Sequence, residues 1–123
     1  MTEDIKTYIN ESLTNAGLNY AFMQWEDDIK YPYWIGDGEE VEVDNEASYH
    51  EYNFRLTGTT RKTYKELDKE RETIEKLFSS ITTTLPDGTG VVFYYEGARP
   101  IPTGEAELKR IQINLKIQEW RVE

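Results

Sequence analysis

The chain contains no cysteine. Disulfide staples, thiolate metal ligands and a cysteine nucleophile are therefore excluded, and redox usage says nothing about the compartment. His50 is the single histidine, so motifs that need two histidines are excluded as well. Bases are scarce. Fourteen Lys and Arg stand against 24 Asp and Glu, a net charge of −10, which disfavours binding to duplex phosphate and favours solubility. No apolar run approaches the roughly 18 residues of a membrane-spanning helix, and Met1-Thr2-Glu3-Asp4 is acidic where a signal peptide would be basic. These absences lead to the expectation of a soluble protein that is not exported, with no membrane partner and no sequence-specific nucleic-acid partner.

Aromatics, in contrast, are plentiful: nine Tyr and three Trp in 123 residues. That is more than a core of this size can bury with every polar tip satisfied, so some are expected at a contact surface. The length fits one domain, residues 1–123.

The chain is organised around residues 48–81. Tyr52, Phe54 and Leu56 alternate with Asn53, Arg55 and Thr57, the period of a half-buried strand. Thr57-Gly58-Thr59-Thr60 breaks the alternation. Tyr64, Leu67, Ile74, Leu77, Phe78 and Ile81 then line one face of a helix about 18 residues long. Thr63 with Glu66 three residues later has capping-box spacing, and Thr60 is a rival cap. Arg71 falls on the apolar stripe, where its stem is expected to pack while the guanidinium seeks a carboxylate or carbonyl at the edge.

Before this stretch, Ile5, Tyr8, Ile9 and Leu13 predict an amphipathic helix, with Thr2 as cap, Glu3 and Asp4 in the first turn and Gly17 as stop. Residues 18–25 read as a strand with one change of phase. Ile29 to Ile35 reads as a second apolar run that Pro32 makes an edge strand or a strand beginning. Residues 36–47 hold six acids, Asp37, Glu39, Glu40, Glu42, Asp44 and Glu46, and no base. They predict an acidic loop or arm, in which Val41 and Val43 alternate with acids and could pair with a partner's sheet edge.

After the long helix, Leu85 to Gly90 is a turn, Val91 to Tyr95 an interior strand, and Gly97 to Thr103 a proline-containing loop. Ile111, Ile113, Leu115 and Ile117 alternate strictly, and the apolar phase then shifts at Trp120 and Val122. This predicts a bulge near Gln118-Glu119 with the end of the chain turned toward another surface. The fold class expected is α+β: a mainly antiparallel sheet of four to five strands packed against the N-terminal and central helices.

No catalytic template fits. His50 beside Glu51 could form a general-base pair, but there is no Gly-x-Ser-x-Gly elbow, dinucleotide fingerprint or phosphate-loop lysine. Asp37-Gly38-Glu39-Glu40 and Asp44 offer hard oxygen ligands without the spacing of a helix-loop-helix calcium site. The residues predict no enzyme, no cofactor and no specific metal; aromatics and acids point to macromolecular partners.

The order of elements, with Tyr-Pro-Tyr-Trp-Ile, the acidic segment, Leu56-Thr57-Gly58-Thr59-Thr60-Arg61 and the helix carrying Tyr64 and Leu67, resembles the small tail-completion proteins of long-tailed bacteriophages and prophages of Gram-positive bacteria. These are the tail-terminator or head-tail joining group. The resemblance implies a structural virion-assembly protein that forms a hexameric ring on the tail tube and meets the tail-tube protein and the head connector. It would assemble in the host cytoplasm and end in the virion. The candidate contacts are Asp37, Glu39, Glu40, Val41, Glu42, Val43 and Asp44 in the acidic segment, Arg99, Pro100, Ile101 and Pro102 in the proline loop, and Trp120. Two other readings stay open: an acidic DNA mimic that inhibits a DNA-binding enzyme, and a small acidic interaction domain.

Overall fold

The computed structural model describes residues 1–26, 28–43 and 48–120. Two helices and six strands follow in the order α1 (Glu3–Asn15), β1 (Tyr20–Phe22), β2 (Tyr33–Val41), β3 (His50–Thr60), α2 (Tyr64–Phe78), β4 (Ile81–Thr84), β5 (Gly90–Pro100) and β6 (Lys109–Trp120). The strands form one sheet in the order β1-β2-β3-β6-β5-β4.

Both helices start where the sequence places them. The Thr2 hydroxyl accepts from Ile5 N at 3.4 Å and the Thr63 hydroxyl from Glu66 N at 3.2 Å, satisfying donors that have no partner within the helix. Thr60, the rival cap, accepts from Lys62 N in the turn before α2. α1 stops at Gly17 (φ +85°), where Leu18 N donates to Leu13 O at 3.1 Å, as in a glycine-terminated helix.

Ile5, Ile9 and Leu13 of α1 and Leu67, Ile74 and Phe78 of α2 are buried on the same sheet face as Trp34, Tyr52, Phe54, Leu56, Val91, Phe93, Ile113, Leu115 and Ile117. Tyr8 and Phe78 both reach the Phe93 ring, with centroids 5.3 and 5.1 Å away. The expected core faces are therefore present, except that Tyr8 and Leu77 are only partly buried and Tyr64 is exposed. Leu18, Trp34 and Leu85 join them.

Two glycines are required by close approach. Trp34 lies directly across the ladder from Gly58, and a Cβ on Gly58 would stand 2.5 Å from Cζ3 of that indole. At Gly36 a Cβ would meet Phe54 Cζ at 2.5 Å and the Tyr20 hydroxyl at 2.8 Å. The Leu-Thr-Gly-Thr-Thr run thus contains a seat for the tryptophan of Tyr-Pro-Tyr-Trp-Ile.

Several expectations are corrected. Among the described residues the sheet has six strands and is mixed and curled, with 43% of those residues in strands and 24% in helices, so the fold is mainly sheet and only partly the α+β arrangement of four to five antiparallel strands. β1 pairs parallel with β2, Tyr20 opposite Trp34, a pairing that a tight hairpin turn cannot make. Ile81, expected to close the helix, instead opens β4. Phe78 ends the helix, Ser80 turns through φ +54°, and the β-branched Ile81-Thr82-Thr83-Thr84 pairs with β5.

The last two corrections concern residues 36–47 and β6. Gly36 to Val41, expected within a loop, completes β2 in regular register with β3. Near Gln118-Glu119 there is no bulge. β6 runs on in register with β3 to Glu119, and the bulge lies in β5 between Tyr95 and Gly97. The break in apolar phase has another cause: Glu119 occupies a core position, fully buried. Tyr52 Oη donates to its Oε1 at 3.1 Å and Thr2 Oγ1 to its Oε2 at 3.4 Å. A buried carboxylate is tolerated when hydrogen-bonded, and this one sits beside the positive N-terminal end of α1.

Candidate assembly interface

Strand alternation puts every second residue on the face opposite the helices. Along β2, β3 and β6 that face carries Ile35, Asp37 and Glu39, then Asn53, Arg55 and Thr57, then Gln112, Asn114 and Lys116, which are partly or fully exposed. Arg55 holds Asp37 Oδ1 through Nε at 3.1 Å and Nη2 at 2.9 Å, and this raises the guanidinium pKa further. Glu39, Asn53, Arg55, Glu96, Gln112 and Asn114 line a polar trough of about 460 Å³. Lys116 Nζ lies 4.8 Å over the Tyr94 ring. This surface is rich in amides and paired charges, suited to hydrogen-bonded contact.

The short outer strands leave two edges partly open. β1 covers only Trp34 to Gly36 of β2, so Asp37–Val41 has β3 on one side and no strand on the other among the described residues. Trp34 N donates to Asn19 O, and Gly36 O accepts from Met23 N. The same alternation aims the backbone N–H and C=O of Gly38 and Glu40 outward. At the other end β4 covers Gly90 to Phe93, leaving Tyr94 to Pro100, with Glu96 bulged out of register, paired with β6 alone among the described residues.

The expected contact residues fall into three places. Asp37, Glu39, Glu40 and Val41 form the open half of β2, and Glu42 and Val43 follow it outside any strand. Asp44 lies outside the described residues. Arg99 and Pro100 end β5, exposed, while Ile101 N donates to Arg110 O at 2.9 Å and Pro102 is exposed. The segment beginning at Gly97 is thus strand as far as Pro100 and loop only after it. Trp120 closes β6 with its ring 5.5 Å from that of Tyr49. The acidic and proline-containing segments do not meet within one chain, because β3 and β6 lie between β2 and β5.

A groove of about 490 Å³ beside the open stretch of β5 joins two of the expected contacts, Arg99 and Pro100, to residues not among them. Tyr64, Lys65 and Arg71 of α2 face Tyr95, Ala98, Arg99 and Ile111 across it. Arg71 is tied down by Asp68 Oδ1 at 2.6 Å, Glu75 Oε1 at 2.8 Å and the Tyr95 hydroxyl at 3.1 Å, and these partners raise its pKa. Its place on the apolar stripe was the signal in the sequence. Tyr95 and Ala98 gave none, since the bulge that sets their direction has no marker.

His50 Nδ1 lies 3.2 Å from Glu40 Oε1, and both side chains are exposed. Among the described residues no group of three or more His, Asp or Glu is placed to hold a metal, and no helix is long and apolar enough to cross a membrane. Comparison with protein-family models and with curated proteins finds no match to this chain.

Proposed function

We propose that this chain is a structural subunit of a phage or prophage virion, a tail terminator or head-tail joining component that assembles as a ring at the end of the tail tube. The observation that carries the reading is the acidic half of β2: a strand with one side unpaired among the described residues, its side chains including Asp37, Glu39 and Glu40. An exposed strand edge is a ready template for another chain, and acids on it disfavour indiscriminate pairing while admitting a matched partner. The resemblance set out above supplies the kind of assembly. Lining or rimming a ring, these acids would repel phosphate and let DNA slide.

Replacing Asp37, Glu39, Glu40 and Glu42 with lysine in the encoding phage tests it. The monomer should stay folded, because the side-chain pairs lost, Asp37 with Arg55 and Glu40 with His50, are both exposed, and such pairs contribute about 1 kcal/mol or less. Electron microscopy should show unjoined heads and tails, and infectivity should fall. Normal infectious particles would refute the role.

A further inference from the structure

We propose that a second copy of this chain supplies the partner strand: Asp37–Val41 of one subunit pairs antiparallel with the open stretch of β5, residues 94–100, of the next. The inference deepens the ring reading above by naming its two faces. β2 is antiparallel to β3, β3 to β6, and β6 to β5, so β2 and β5 run in opposite directions. A neighbour in the same orientation, brought up on the β5 side, therefore presents its β2 antiparallel to β5, and the sheet continues from one subunit to the next. The lengths agree, because five open residues meet seven. The covering strands do not obstruct. β1 covers β2 only up to Gly36, before the acidic stretch, and β4 covers β5 only up to Phe93, before its open stretch.

Charge selects this pairing over the alternative. Two copies of Asp37–Val41 paired with each other would bring six carboxylates together, from Asp37, Glu39 and Glu40 of each chain, and like charges across strands are destabilising. On the β5 side exposed Glu96 is balanced by exposed Arg99, and Lys65 lies at the adjoining groove, so the acids meet a mixed surface with bases in reach in place of a second row of acids. Unlike edges joined head to tail give a heterologous contact, which closes into a ring when the rotation between neighbours allows it.

The absence of native cysteine permits a clean test with a short bismaleimide cross-linker. Glu40 and Ala98, both exposed, are replaced as Glu40→Cys and Ala98→Cys. Each single variant alone should remain a monomer on a denaturing gel, their mixture should give a dimer, and the double variant should give a ladder. In parallel, Glu40→Pro removes an outward-facing donor at an edge where proline is tolerated. It should keep the wild-type circular dichroism spectrum and lose assembly by light scattering. A dimer from Glu40→Cys alone, an assembly without cross-linking in the mixture, or a wild-type monomer at every concentration overturns the pairing. An assembly that does not cross-link leaves the ring reading standing. A ladder from a protein that never enters virions upholds the pairing and removes the phage role.

Discussion

The indole Nε1 of Trp34 donates to Glu70 Oε1 at 2.8 Å, joining β2 to α2 across the top of Gly58. Burial pushes the Glu70 carboxyl pKa up; neighbouring Glu66 adds to this, while the Trp34 hydrogen bond and Lys62 oppose it. Glu70 therefore binds its proton more tightly in the folded chain than in the unfolded one. Its contribution to stability is fully present below the ordinary carboxylate pKa and is lost as pH rises through the raised folded value.

Glu70→Gln keeps a carbonyl acceptor for Trp34 and removes the titration. At about pH 7 the variant should melt at or above the wild-type temperature, and its advantage should shrink toward about pH 3, where the wild-type carboxyl is protonated in both states. Melting curves of the two proteins over that range decide it. A difference that does not change with pH would remove Glu70 as the titrating group.

Gly58→Ala forces a methyl group into the Trp34 ring. Overpacking of this kind costs about 1–3 kcal/mol. Because the ring is fully buried, it has little room to retreat. Chemical denaturation of Gly58→Ala alone and combined with Trp34→Leu measures the coupling: the second change should offset much of the first, and simple additivity would show that the clash is relieved elsewhere.

Leu67 and Ile113 are both fully buried, one on α2 and the other on β6. Truncating either to alanine should destabilise the chain by about 2–5 kcal/mol. Thermal melts near wild type would mean that these side chains are not core.

His50→Gln should leave both fold and assembly intact. The ring and its partner, Glu40, are both exposed, and an exposed pair of this kind contributes about 1 kcal/mol or less. Loss of an assembly signal through this change alone would give the histidine a role that sheet position does not explain.

How much of the molecule was legible in the sequence varies from element to element. Thr2 and Thr63 announced both helices because capping is a local interaction between a hydroxyl and the backbone three residues on. Tyr52, Phe54 and Leu56, and Ile111 to Ile117, announced the central strands because a face buried by two helices imposes a period of two. β4 was hidden, since Ile81 also extends the helical period of α2. Only Ser80 and pairing with β5 decide its state.

Glu119 was misread for a related reason. A charged residue at a core position looks like a change of phase unless Tyr52, 67 residues away in sequence, is known to donate to it. The acidic half of β2 looked like a loop because Gly36, Gly38 and the acids are poor strand formers in isolation. It is held as strand by its ladder with β3 and by Phe54, which lies over Gly36.

The sequence by itself determined composition, charge, the helix starts and the two faces of the central strands, all set by interactions a few residues apart. Tertiary structure alone decided strand order, the parallel pairing of β1 and which stretches of β2 and β5 remain uncovered. Those depend on where distant segments end beside one another, and short-range patterns carry no record of that.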